Sequence, residues 1–118
     1  MSRTALIHFK VIGKVQGVSF RYYTQKEASS LGLTGWCHNH PDESVEGVAF
    51  GQEPKVDKFR QYLSEGPSAA SVQKVEYVKE TYDPDEQTRT ELLKGITEGF
   101  HVRRFGQSES IVKNGPKH

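Results

Sequence analysis

Within nine residues the hydrophobic pattern of this chain changes period, and that change constrains the fold more than any other feature. Early in the chain Ile7, Phe9 and Val11 alternate with His8, Lys10 and Ile12, as they would on a strand with one buried face. From Phe20 the spacing becomes helical, with Phe20, Tyr23, Glu27 or Ala28, and Leu31 on one stripe and Gly32 as the stop, so a helix is expected over 20–31. The strand must therefore pass into the helix across Gly13-Lys14-Val15-Gln16-Gly17-Val18-Ser19-Phe20-Arg21. A glycine-bearing turn that brings backbone N–H groups and a guanidinium to a helix N-terminus is an anion site, most naturally for phosphate.

The turn is not a Walker loop, because Val18 stands where Lys would follow the second glycine, and Gly13 and Gly17 have the wrong spacing for a dinucleotide fingerprint. What remains is a short cradle ending in Arg21, whose planar fork can grip two phosphate oxygens at once. These residues alone also allow a plainer reading, in which the glycines turn the chain and Arg21 is solvated. Against it, a cation in the first helical turn opposes the helix dipole at a cost of about 0.3–1 kcal/mol unless an anion sits nearby.

Farther on, residues 34–39 and 45–50 read as two strands joined at Pro41-Asp42-Glu43, a hairpin. Pro54 suits a helix start, Val56, Phe59 and Leu63 form a second apolar stripe, and Gly66-Pro67 ends it. Residues 72–79 are again β-rich. The order strand, helix, strand, strand, helix, strand is the split βαβ, ferredoxin-like arrangement of an α+β domain, with two helices covering one face of an antiparallel sheet. Residues 81–99 carry Asp83, Asp85, Glu86, Arg89, Glu91 and Lys94 around a lone Leu92-Leu93 anchor and read as a mobile connector with at most one helical turn. Phe100-His101-Val102-Arg103-Arg104-Phe105 regains β character as an edge strand, its arginines discouraging edge pairing. The expected domain is 1–106, followed by a polar, disordered tail at 107–118.

A chain of 118 residues is one domain by length. Sixteen basic against fifteen acidic residues argue against a dedicated nucleic-acid or membrane surface, leaving a local basic patch of Lys10, Lys14 and Arg21 to attract small anions. Cys37 is the only cysteine, so no intrachain disulfide is available, and beside Trp36 it reads as packed rather than reactive. With neither a signal-peptide run nor a span of membrane length, the expectation is a cytoplasmic monomer.

Val15-Gln16-Gly17-Val18-Ser19-Phe20-Arg21, then Gly35-Trp36-Cys37-His38-Asn39, Val45-Glu46-Gly47 and Gly66-Pro67 together resemble the acylphosphatases in order and spacing. The resemblance implies hydrolysis of acyl phosphates to a carboxylate and inorganic phosphate, without a metal or other cofactor. It puts the phosphate-binding arginine on Arg21, the water-positioning asparagine on Asn39, and the phosphate cradle on Val15, Gln16, Gly17, Val18, Ser19 and Phe20. Inorganic phosphate or sulfate would then compete with substrate. Gly35, Trp36 and Gly47 are assigned to packing and close backbone approach. Two departures stand out: Pro41-Asp42-Glu43-Ser44 replaces the family's Asp-Gly turn, and residues 81–99 are longer and more polar than the pattern.

Three other readings compete. His38 and His40 share a strand face and could hold a metal, although no third ligand is apparent. An RNA-binding sheet would need exposed aromatics and an Arg/Lys-Gly-Phe motif, which are absent. A non-enzymatic domain of the same fold that senses a small anion would use the same loop, and only Asn39 separates it from the enzyme.

Overall fold

Alternation in the first apolar run becomes β1 (Thr4–Lys14), with Ile7, Phe9 and Val11 fully buried and His8, Lys10 and Ile12 partly exposed. The computed structural model describes residues 3–16 and 19–104. After β1 come α1 (Phe20–Ser30), β2 (Thr34–Asn39), β3 (Val45–Gln52), α2 (Glu53–Glu65), β4 (Ser71–Tyr82), α3 (Glu86–Leu93) and β5 (Phe100–Arg103). The strands form one sheet in the order β4-β1-β3-β2-β5, an α+β, ferredoxin-like arrangement with an added edge strand. Gly17, Val18 and the expected tail at 107–118 lie outside the described residues.

The main core lies between the sheet and the first two helices. Val56, Phe59 and Leu63 of α2 are fully buried, as their spacing predicts, and Phe59 meets Phe9 edge-on at 5.6 Å. In α1 the buried stripe is Phe20, Thr24 and Ala28, whereas Tyr23, expected inside, is 44% exposed. Thr24 takes the inner position because its hydroxyl meets the Tyr62 hydroxyl at 3.2 Å, which removes the penalty of burying it. At about 1.5–3 kcal/mol per fully buried large side chain, such a core can hold the fold without a disulfide.

Two expectations are corrected. Residues 81–99 are not a mobile connector: Thr81 and Tyr82 complete β4, and Glu86–Leu93 is a helix of two turns. Leu93 joins Leu6, Trp36 and Val48 in a second, smaller core, and the Trp36 Nε1–H donates to the Leu92 carbonyl at 2.9 Å. The helix thus covers the face of the sheet opposite α1 and α2. The sheet is also mixed rather than antiparallel, since β5 pairs in parallel with β2 while the other pairs are antiparallel. After β4 at one edge, the chain carries α3 across that face and enters the opposite edge in the direction of β2.

Close approach explains two glycines. Gly13 has φ +141° beside a register shift, and a Cβ there would overlap the Ser71 carbonyl oxygen; one at Gly35 would overlap that of Val48. Among the described residues no helix is long and apolar enough to cross a membrane.

Candidate active site

The N-terminus of α1 opens on a cleft without an anion of its own. Its N-cap, Ser19, is in the left-handed region (φ 59°, ψ 25°) and makes no side-chain cap, and the first turn holds no acidic residue. With no side-chain cap among the described residues, the first-turn N–H groups and the positive end of the helix dipole are suited to an anionic ligand. Phe20 anchors this turn, fully buried with its ring 6.2 Å from Tyr62, so the next residue, Arg21, lies at the cleft. Arg21 makes no ion pair among the described residues, and no carboxylate lines the cleft there.

Asn39 reaches the same cleft from the end of β2. Period-two alternation puts it on the face of Cys37, which packs in the main core. Its Oδ1 is buried and meets no hydrogen-bond partner among the described residues. A buried acceptor left without a donor costs about 1–3 kcal/mol. Val15, Ser19 and Phe20 complete this end of a cavity of about 540 Å³.

Gln16 fixes the geometry from behind. Its Nε2 donates to the carbonyls of His40 and Ser44, both at 2.9 Å, and so ties the cradle loop to the turn that follows Asn39. The turn closes with His40 N–H on the Ser44 carbonyl at 2.8 Å and Glu43 N–H on the His40 carbonyl at 2.9 Å. Asp42 secures it, accepting from Lys10 Nζ at 2.6 Å and Ser44 N–H at 3.0 Å, and the Lys10 bond above all holds its carboxyl well below the usual range. Lys10 is thereby withdrawn from the expected anion patch, and neither it nor Lys14 lines the cleft.

Of the residues expected to form the site, Val15, Ser19, Phe20, Arg21 and Asn39 come together, Gln16 supports them, and Gly17 and Val18 lie outside the described residues. The cleft also takes in Tyr22, Gln25 and Val102, which sequence reasoning missed. Tyr22 and Gln25 share a flank of α1 at i, i+3 spacing, but the position of Val102 depends on the parallel register of β5, in which it pairs with Cys37.

Cys37 is unsuited to nucleophilic work. Burial pushes its thiol up to about 12, with the charge of Arg21 acting the other way but more weakly. His38 belongs to the opposite face, where its Nε2 meets one Glu46 oxygen at 2.8 Å and His8 Nε2 meets the other at 2.8 Å. Burial holds the His38 imidazole below the ordinary histidine range despite that carboxylate. Burial works to raise the Glu46 carboxyl, yet hydrogen bonds with His38 and His8 outweigh it and keep it low. No group of three or more His, Cys, Asp or Glu side chains among the described residues is arranged to hold a metal ion.

A family model described as acylphosphatase matches residues 7–91, a span that contains the open helix end, Arg21 and Asn39. The chain belongs to the acylphosphatase family. It is 48% identical over 71 residues to an acylphosphatase of Acaryochloris marina (strain MBIC 11017), covering 60% of this chain and 76% of that one. Among solved structures it is similar to an acylphosphatase from Coxiella burnetii, with 36% identity and a TM-score of 0.70 over 86% of this chain and 94% of the other. An acylphosphatase from Bacillus subtilis gives 29% identity and a TM-score of 0.68, covering 84% and 98%. Acylphosphatases are hydrolases acting on acid anhydrides, and the chain is an enzyme of that class.

Proposed function

We propose that the cleft hydrolyses an acyl phosphate to a carboxylate and inorganic phosphate, with Arg21 and the 15–20 loop holding the phosphoryl group and Asn39 the attacking water. One observation supports this reading: Asn39, whose buried Oδ1 meets no hydrogen-bond partner among the described residues, lines the same cleft as Arg21, which makes no ion pair among them, at a helix N-terminus without a side-chain cap. Arg21 and backbone N–H groups neutralise the phosphoryl oxygens and the charge that shifts among them during transfer. A water donating one hydrogen to Asn39 Oδ1 has its lone pair directed at phosphorus. Its oxygen bonds to phosphorus as the bond from phosphorus to the acyl oxygen breaks, and the carboxylate leaves with that electron pair. The water's proton passes to a phosphoryl oxygen, so no side-chain base, covalent intermediate or metal ion is needed. Inorganic phosphate or sulfate occupies the same cradle and competes. We place the enzyme in the cytoplasm as a monomer, in keeping with its single, buried thiol.

The test separates binding from turnover in excess chelator. Arg21→Ala should lose both phosphate affinity and turnover. Asn39→Ala should bind phosphate nearly as well as the parent and lose about 100- to 1,000-fold in kcat, as when a positioned transition-state donor is removed. Calorimetry reads the first quantity, substrate disappearance the second, and circular dichroism confirms folding. A folded Asn39→Ala protein with parental kcat overturns the role of Asn39.

A further inference from the structure

Across the sheet from the cleft lies a second cavity, of about 430 Å³, between the end of α3 and the strands β1, β2, β3 and β5. Its size suits a whole small ligand. Three cations line it: Lys94, just after α3, and Arg103 and Arg104, where β5 ends. The path of α3 over this face and the parallel pairing of β5 with β2 bring them together. The chemistry of the cleft uses none of them.

The acids in the lining do not cancel this charge. Glu46 is engaged at both oxygens, one accepting from His8 Nε2 and the other from His38 Nε2, each at 2.8 Å. Glu91 is the only other acid among the described lining residues, which leaves the cations in excess. Lys94, held in the left-handed region at φ 54°, makes no ion pair among the described residues, and its ammonium stands 5.3 Å from the Trp36 ring. The apolar lining offers little by comparison. Trp36 is 3% exposed with its N–H already bonded to the Leu92 carbonyl, and Val48 is fully buried, so neither a base nor an acyl chain finds a face to lie on. The ligand that fits is compact and charged throughout.

We propose that this cavity is a second anion site, separate from the cleft, and that it takes a small polyphosphate of the inorganic diphosphate class. A guanidinium fork holds two phosphoryl oxygens at once, and an ammonium acts as a point charge on a third. Two linked phosphoryl groups therefore engage Lys94 together with the arginines, where a single phosphate reaches fewer of them. The proposal does not depend on acyl phosphate hydrolysis at the cleft.

Trp36 is the only tryptophan of the chain and lines this cavity, so its fluorescence reports occupancy here. Inorganic diphosphate is the probe, titrated by calorimetry and by Trp36 emission into the full chain and into Arg21→Ala, Lys94→Asn and Arg104→Gln. The dissociation constant read from Trp36 should stay within about twofold in Arg21→Ala, as for sites too far apart to couple. Lys94→Asn and Arg104→Gln should each raise it about tenfold or more, the scale of one charge-assisted hydrogen bond. Asparagine tolerates the left-handed backbone at position 94, and neither side chain lines the cleft, so both variants should turn over acyl phosphate at the parental rate. Inorganic phosphate should bind here about tenfold more weakly than diphosphate, having lost one such contact. Absence of both heat and emission change when diphosphate meets Arg21→Ala overturns the site, and so does an affinity unmoved in folded Lys94→Asn and Arg104→Gln proteins. Adenosine diphosphate bound about tenfold more tightly than diphosphate would reveal a stacking face for its base and overturn the ligand class.

Discussion

Two helices of this molecule begin in opposite ways. The N-terminus of α3 supplies its own anion: the Asp85 carboxylate accepts the Thr88 N–H at 2.8 Å, and Glu86 stands in the first turn. The N-terminus of α1 has a left-handed Ser19 without a cap, no acid, and the Arg21 cation. A helix end that serves only the fold gains by filling its N–H groups and opposing its dipole with a carboxylate. By leaving both undone, α1 gives up stability of the order of 1 kcal/mol, which suits the anion site proposed for it. The contrast is sharpened by strain, since Ser19 is one of only four non-glycine residues with positive φ among those described.

The contrast is broken most severely by giving α1 what α3 has. Ser19→Asp is suited to this, because aspartate tolerates the left-handed backbone better than most residues. Its carboxylate would occupy the helix end, pair with Arg21 and repel a phosphoryl group. Phosphate affinity and kcat/KM should each fall about 100-fold or more, while the melting temperature holds or rises. Calorimetry with inorganic phosphate checks this directly, and unchanged affinity would show that the end of α1 is not the anion site.

The reverse experiment takes the anion from α3. Asp85→Ala should lower the melting temperature by a few degrees, since α3 covers the smaller core around Trp36 through this capped end. Phosphate affinity should be untouched, because α3 lies across the sheet from the cleft. A matching loss of phosphate binding in a folded protein would mean that the two helix ends are not independent.

The same pair of helices shows what the sequence makes legible. β1 and α2 each bury one face against a large core, and such burial imposes a period that can be read directly. In α1 the period is blurred because Thr24, a polar residue, is buried through its partner Tyr62 and the more apolar Tyr23 is not. α3 covers so small a core that Leu92, Leu93 and Ile96 suffice, too few to register as a stripe. Its ends were nonetheless written in the chain, as Asp85 just before it, Glu86 in its first turn and Gly95, at φ +81°, after it. At the site, Arg21 announces itself by violating the charge preference of a helix start. Asn39 does not, because an asparagine at a strand end is ordinary, and what distinguishes it, a buried Oδ1 without a partner among the described residues, is a property of the folded chain. The direction of β5, and with it the position of Val102, follows from the path of the chain over the sheet and from no local pattern.

The smallest expected effect concerns the hairpin beside the cleft, where strain again falls on a residue other than glycine. With Glu43 N–H bonded to the His40 carbonyl, Pro41 and Asp42 form the centre of a tight turn, and Glu43 follows in the left-handed region at φ +77°. That is the position at which a three-residue hairpin loop favours glycine. Unlike Ser19, Glu43 does not line the cleft. Glu43→Gly should relieve it, and the greater freedom of glycine in the unfolded chain should cancel part of the gain, leaving a net stabilisation below about 1 kcal/mol. Urea denaturation with an unchanged slope would measure that gain, with kcat and phosphate affinity at parental values. If kcat shifts with the turn while phosphate affinity does not, the left-handed Glu43 takes part in setting Asn39.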